Sequence, residues 1–135
     1  MATNNLNIFS VAGRAMSAQQ VRMNTAASNL ANASAVATNE ADAYRPIKAV
    51  FATQMDQSTG LATVNVSGIV RANTAAQRQH DPGNPMADEN GDVWGSPVDE
   101  NAEMVEMLDS SRQYQNLVET LSTAKQLMLD TIRMK

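Results

Sequence analysis

Mostly apolar side chains recur along the first thirty residues in alternating steps of three and four: Phe9, Ala12, Met16, then Gln19, Met23, Ala26 and Leu30. That spacing predicts a helix with one sticky seam. Asn5 or Asn7 is expected to cap its start, and Asn32 to end it in the left-handed conformation. Arg14, Gln20 and Arg22 fall on the opposite face. The same rhythm returns in Met104, Met107, Ser111, Tyr114, Val118, Leu121, Lys125, Met128 and Ile132, reinforced by Leu108, Leu117, Ala124 and Leu127. A second, long amphipathic helix is predicted there, about 50 Å in length. Ser96 is expected as its N-cap, with Pro97 in the first turn, Asp99 adding negative charge, and Lys125, Arg133 and Lys135 toward the C-terminal end.

Between the helices the texture changes. Short β-like runs lie at 47–54 and 61–71, Val64 and Val66 alternate with polar residues, and Gly60 and Gly68 mark a turn and a bulge. Asp81-Pro82-Gly83-Asn84-Pro85 reads as a turn, since two prolines remove donors and the glycine permits positive φ. The expected fold is mainly α: terminal helices 1–35 and 96–135 paired as an antiparallel coiled-coil hairpin, with 36–95 a small β-rich insert. Such a hairpin leaves Val105, Leu108 and Ile132 in need of neighbours.

Composition narrows the chemistry. With 135 residues, 4% aromatics and nine methionines, a core must be built from aliphatic side chains and flexible Met. The absence of cysteine excludes disulfides, thiolate zinc sites and a Cys nucleophile. Neither a cleavable secretory signal nor a membrane span is expected, because no basic stretch leads into an apolar run and no 18 apolar residues are consecutive. Nine of the fourteen acids lie between Asp81 and Asp109 without an intervening Lys or Arg, while the first 39 residues carry only Arg14 and Arg22 as charges. A head-to-tail contact between these regions, Arg22 meeting Glu103 or Glu106 of a neighbour, would repeat along a polymer. Nucleic-acid binding is excluded because the basic residues are scattered.

No motif for nucleophilic, phosphate or dinucleotide chemistry occurs, and the carboxylates crowd one stretch. Asp88 to Asp92 lacks the EF-hand register, since Met86 stands where the first acid belongs. His80 is the single histidine and is expected to be a solvated loop residue. No enzyme, metal or cofactor is expected. A structural filament subunit and a small coiled-coil binding module are the two non-enzymatic readings, the first predicting a monomer with loose ends in isolation, the second a stable small oligomer.

Four motifs, in order, carry a resemblance. Ala27-Ser28-Asn29-Leu30-Ala31-Asn32-Ala33 is similar to the N-terminal signature of flagellar basal-body rod and hook proteins. Tyr44-Arg45 with Val50-Phe51 follows in register. Pro82-Gly83-Asn84-Pro85-Met86-Ala87-Asp88 with Gly91 resembles the loop of the proximal-rod, FlgC-type members. Glu103 to Leu108 with Ser111 to Asn116 resembles the family's C-terminal helix. His80-Asp81 and Ser96-Pro97-Val98 depart from the usual pattern.

The resemblance implies a subunit exported unfolded by the flagellar type III apparatus and added to a periplasmic rod that transmits torque. It implies as partners other rod proteins, the adaptor FliE and the MS ring. The expected subunit interface is Phe9, Met16, Met23, Asn29, Leu30, Asn32, Met104, Leu108, Arg112, Tyr114, Leu121 and Met128. Asn29 and Asn32 either end the helix or fix register between subunits. Arg112 and Tyr114 are either surface and core residues, or Arg112 pairs with a neighbour's Glu103 or Glu106.

Overall fold

A computed structural model describes residues 2–135, with side chains from Asn7 onward. In chain order the elements are α1 (Ala2–Ala31), β1 (Val36–Ala37), a 3-10 turn (Glu40–Asp42), β2 (Ile47–Met55), β3 (Ala62–Arg71), β4 (Gln77–His80), β5 (Asp92–Gly95) and α2 (Glu100–Arg133).

Helix α1 takes in Asn5 and Asn7 instead of being capped by them. Asparagine costs a helix interior only about 0.7 kcal/mol, too little to stop one whose neighbours favour it. Its end is closed without a left-handed residue, since among the described residues only Gly60 and Gly91 have positive φ. The Asn32 N–H is shared between the carbonyls of Ser28 and Asn29, and its side-chain amide donates to Ser28 O at 2.8 Å. Helix α2 is capped by Asp99, whose carboxylate accepts from the N–H groups of Asn101 and Ala102. Ser96 lies ahead of the helix, its N–H donating to Ala35 O and its hydroxyl accepting from the Val98 N–H at 3.3 Å. Pro97 therefore precedes the helix.

Strands β2 and β3 form an antiparallel hairpin closed by a turn in which Gly60, at φ 68°, donates to Asp56 O. The ladder slips where Val50 faces Gly68 and Phe51 faces Val66, leaving Ser67 as the extra residue of a bulge. Its hydroxyl donates to Val50 O at 3.1 Å. A second antiparallel sheet, in the order β1-β5-β4, joins the two ends of the middle segment. The loop from Asp81 to Gly91 that links β4 to β5 turns back at Gly91, whose φ of 76° suits glycine.

This architecture corrects the expectation of a coiled-coil hairpin with a small β insert. Strand makes up 22% of the chain against 48% helix, in two separate sheets. Helix α1 packs on both β2 and β3 as well as on α2. The reason lies in side-chain size. Among the described residues, five of the six buried apolar ones are alanines, Ala12, Ala18, Ala26, Ala37 and Ala43, with Val93 the sixth. Small side chains on α1 let the hairpin approach closely, whereas the heptad reading had weighted the larger Met and Phe positions. The helices run in opposite directions beside one another, Arg22 meeting Glu106 and Phe9 lying near Met128.

Candidate assembly surface

Three polar constructions hold the subunit's shape. At the end of α1, Asn29 is 1% exposed. Its side-chain amide donates to Ile47 O at 2.9 Å, while its carbonyl oxygen accepts from the Ile47 N–H at 2.9 Å and the Tyr44 hydroxyl at 2.8 Å. The side chain thus pairs with Ile47 as a neighbouring strand would, and it starts β2 against the helix. Asn29 is a buried register device, but the register is that of the hairpin on its own helix.

The second construction joins the helices. Arg22 Nε lies 2.7 Å from Glu106 Oε1, and Nη2 lies 3.1 Å from Asp109 Oδ2. The Glu106 hydrogen bond, chiefly, raises the pKa of Arg22 against partial burial. Arg22, expected to meet Glu103 or Glu106 of a neighbour, instead meets Glu106 and Asp109 of its own chain.

The third is in the β1-β5-β4 sheet. Asp92 is 4% exposed and accepts from Arg78 Nε at 2.7 Å, with Arg78 Nη2 also in contact, while its other oxygen meets His80 Nδ1 at 2.9 Å. Bonding from His80 first, and Arg78 next, holds the Asp92 carboxyl below the usual carboxylate range. His80 is thus a strand residue and not a loop one, though its side chain remains exposed to solvent.

The expected interface residues divide into three groups. Asn29 is buried; Phe9, Met16, Met23, Leu30, Asn32, Tyr114, Leu121 and Met128 are half-buried within the subunit; Met104, Leu108 and Arg112 are exposed. The sequence reading missed the apolar surface of the hairpin, where Val50, Met55, Ile69 and Val70 are exposed. The alternation at Val64 and Val66 could have pointed to it, since a two-stranded ribbon always leaves one face open. Among the described residues no group of three or more His, Asp and Glu is placed to hold a metal ion. No helix there is long and apolar enough to cross a membrane.

The surface area is the quantity that sets this chain apart. It exposes 9124 Å², where a compact monomer of 14.5 kDa exposes about 6,900 Å². The large exposed apolar residues include Val105, Leu108, Leu127 and Ile132 at 63–66% on α2.

Comparison with known proteins accords with these observations. Residues 9–37 match the family described as "Flagella basal body rod protein", and residues 89–134 match "Flagellar basal body rod FlgEFG protein C-terminal". The chain is 43% identical over 129 residues to the flagellar basal-body rod protein FlgC of Salmonella typhimurium, covering 94% of this chain and 95% of that one. It is 44% identical, with the same coverage, to FlgC of Yersinia enterocolitica. Identity to FlgC of Agrobacterium fabrum is 31%, over 90% of this chain and 88% of that one. With relatives this similar along nearly its whole length, the chain belongs to the flagellar basal-body rod protein family of the FlgC type.

Proposed function

We propose that this chain is a structural subunit of the flagellar rod, built into a shaft through the apolar surface its own fold leaves open. The observation that carries the reading is the excess of about 2,200 Å² of exposed surface over a compact monomer. Stable subunit contacts bury about 800 Å² per partner, so this excess matches several neighbours. Meanwhile no buried side-chain polar atom among the described residues lacks a hydrogen bond, so what the subunit leaves unfinished is apolar. The names of its relatives and the two family matches support the same assignment. The resemblance adds finer placement: export by the type III apparatus, a periplasmic position, and contact with other rod proteins, FliE and the MS ring. Of the expected interface set, Met104, Leu108 and Arg112 are the positions still open for such contacts.

Leu108→Asp tests this reading. Leu108 is 64% exposed in the subunit, so a carboxylate there leaves the isolated fold intact, whereas burial of an unpaired charge in a contact costs several kcal/mol. Cells carrying it should secrete the protein yet lack it in isolated basal bodies and fail to swim. Normal swimming with the variant incorporated would refute the reading.

A further inference from the structure

The loop that joins β4 to β5 contains the one asparagine of the chain that is followed by glycine, Asn90-Gly91. That glycine is fixed by the fold. Its φ is 76°, and a Cβ on it would stand 3.1 Å from Pro82 Cγ and 3.2 Å from His80 Cε1. Asparagine before glycine is the order in which a side-chain amide is most open to attack by the next backbone nitrogen, because no side chain on the second residue stands in the way. Asn90 is exposed, and its side-chain amide makes no hydrogen bond among the described residues, only its backbone N–H being bonded, to Asp88 Oδ1 at 2.8 Å.

The loop restrains the other reactant. The Gly91 N–H donates to Asp88 O at 3.0 Å, and Gly91 O accepts from the Asp81 N–H at 2.9 Å. The Asp92 N–H donates to Asp88 Oδ1 at 2.9 Å, and the Asp88 N–H to Asp92 O at 2.9 Å. The nitrogen that would attack is thus tied into a turn clamped by Asp88, while the amide it would attack is free. Asp92 also holds Arg78 and His80, so the clamp belongs to the β1-β5-β4 sheet and is lost when that sheet opens.

We propose that Asn90 is a self-modifying site, deamidating in the open chain and arrested when the β4–β5 loop closes. The step needs only water. Gly91 N attacks Asn90 Cγ, the new N–Cγ bond replaces Cγ–Nδ2, and the leaving nitrogen takes the backbone proton and departs as ammonia. Water then opens the cyclic imide. Addition at Cγ gives aspartate at this position; addition at the backbone carbonyl carbon gives isoaspartate, with the chain rerouted through the side chain and one backbone atom longer. That extra atom falls between Asp88 and Asp92, whose mutual bonds close on a fixed length of chain. An isoaspartyl chain therefore cannot rebuild the clamp, whereas an aspartyl chain keeps the backbone and loses no side-chain bond. The site's chemistry does not depend on what the subunit assembles into.

The purified full chain, folded or in concentrated urea, is held warm at mildly alkaline pH, and its peptides are mapped by mass spectrometry with isoaspartate told from aspartate by fragmentation. In urea, Asn90 should convert first among the asparagines. In the folded chain it should convert on the order of tenfold more slowly, since the Gly91 and Asn90 N–H bonds to Asp88 must open before attack. Asp88→Ala, in a chain still folded by circular dichroism, should bring the folded rate toward the urea rate. After ageing in urea and refolding, the isoaspartyl fraction should unfold at a lower urea midpoint than fresh chain, while Asn90→Asp should stay close to the parent. Equal rates in folded chain and urea, another asparagine converting first in urea, a folded rate unmoved by Asp88→Ala, or an isoaspartyl fraction as stable as fresh chain would each overturn the proposal.

Discussion

Replacing Asn29 with alanine removes three hydrogen bonds at once, from the Ile47 N–H, the Ile47 carbonyl and the Tyr44 hydroxyl. Each buried group left without a partner costs about 1–3 kcal/mol. The Tyr44 hydroxyl keeps a 3.4 Å contact with Ser28, so only the two Ile47 groups are counted in full. The expected loss is about 2–6 kcal/mol, a large share of the roughly 5–15 kcal/mol that holds a domain together. Asn29→Asp is the sharper probe. It preserves shape and both acceptor bonds, but turns a carboxylate oxygen toward the Ile47 carbonyl where an N–H had donated. Both variants should lower the urea midpoint, and amide hydrogen exchange at Ile47 should accelerate by about two orders of magnitude, tenfold for each 1.4 kcal/mol. The exchange measurement localises the effect to the junction of α1 and β2. Unchanged protection at Ile47 in Asn29→Asp would refute the claim that this side chain starts the hairpin on its helix.

Two further outcomes follow from the ion pairs. Because the folded pKa of Asp92 lies below its unfolded value, its contribution to stability is present above the unfolded value, about 3.9, and is lost as pH falls through the lowered one; unfolding midpoints measured between pH 2 and 6 should show this loss, and Asp92→Asn should remove that part of the acid dependence. Arg22→Ala should cost about 1 kcal/mol in chemical unfolding, its side chain being 22% exposed and its partners more open, and a double-mutant cycle with Glu106→Ala should return a coupling that shrinks in high salt.

The sequence by itself determined where the helices and the hairpin lie. Apolar spacing located both long helices, β-like runs located β2 and β3, with alternation in β3 alone, and Gly60 and Gly68 marked the turn and the bulge that the hairpin contains. Those signals are local, arising from the repeat of a helix turn or a strand pleat, and can be read within a few residues. Tertiary structure alone decided what the polar side chains do. Arg22 finds Glu106 84 residues away, Asn29 finds Ile47 18 residues away, and Arg78 and His80 converge on Asp92 across a strand pair. Tertiary structure also holds Ser96 ahead of α2, its N–H donating to Ala35 O, and the helix is capped at Asp99 instead. It likewise set α1 between strands and helix, through close approach at alanines that a heptad pattern ranks below methionine. A pattern of apolar positions says which faces must be covered; shape and hydrogen-bond geometry in three dimensions select what covers them.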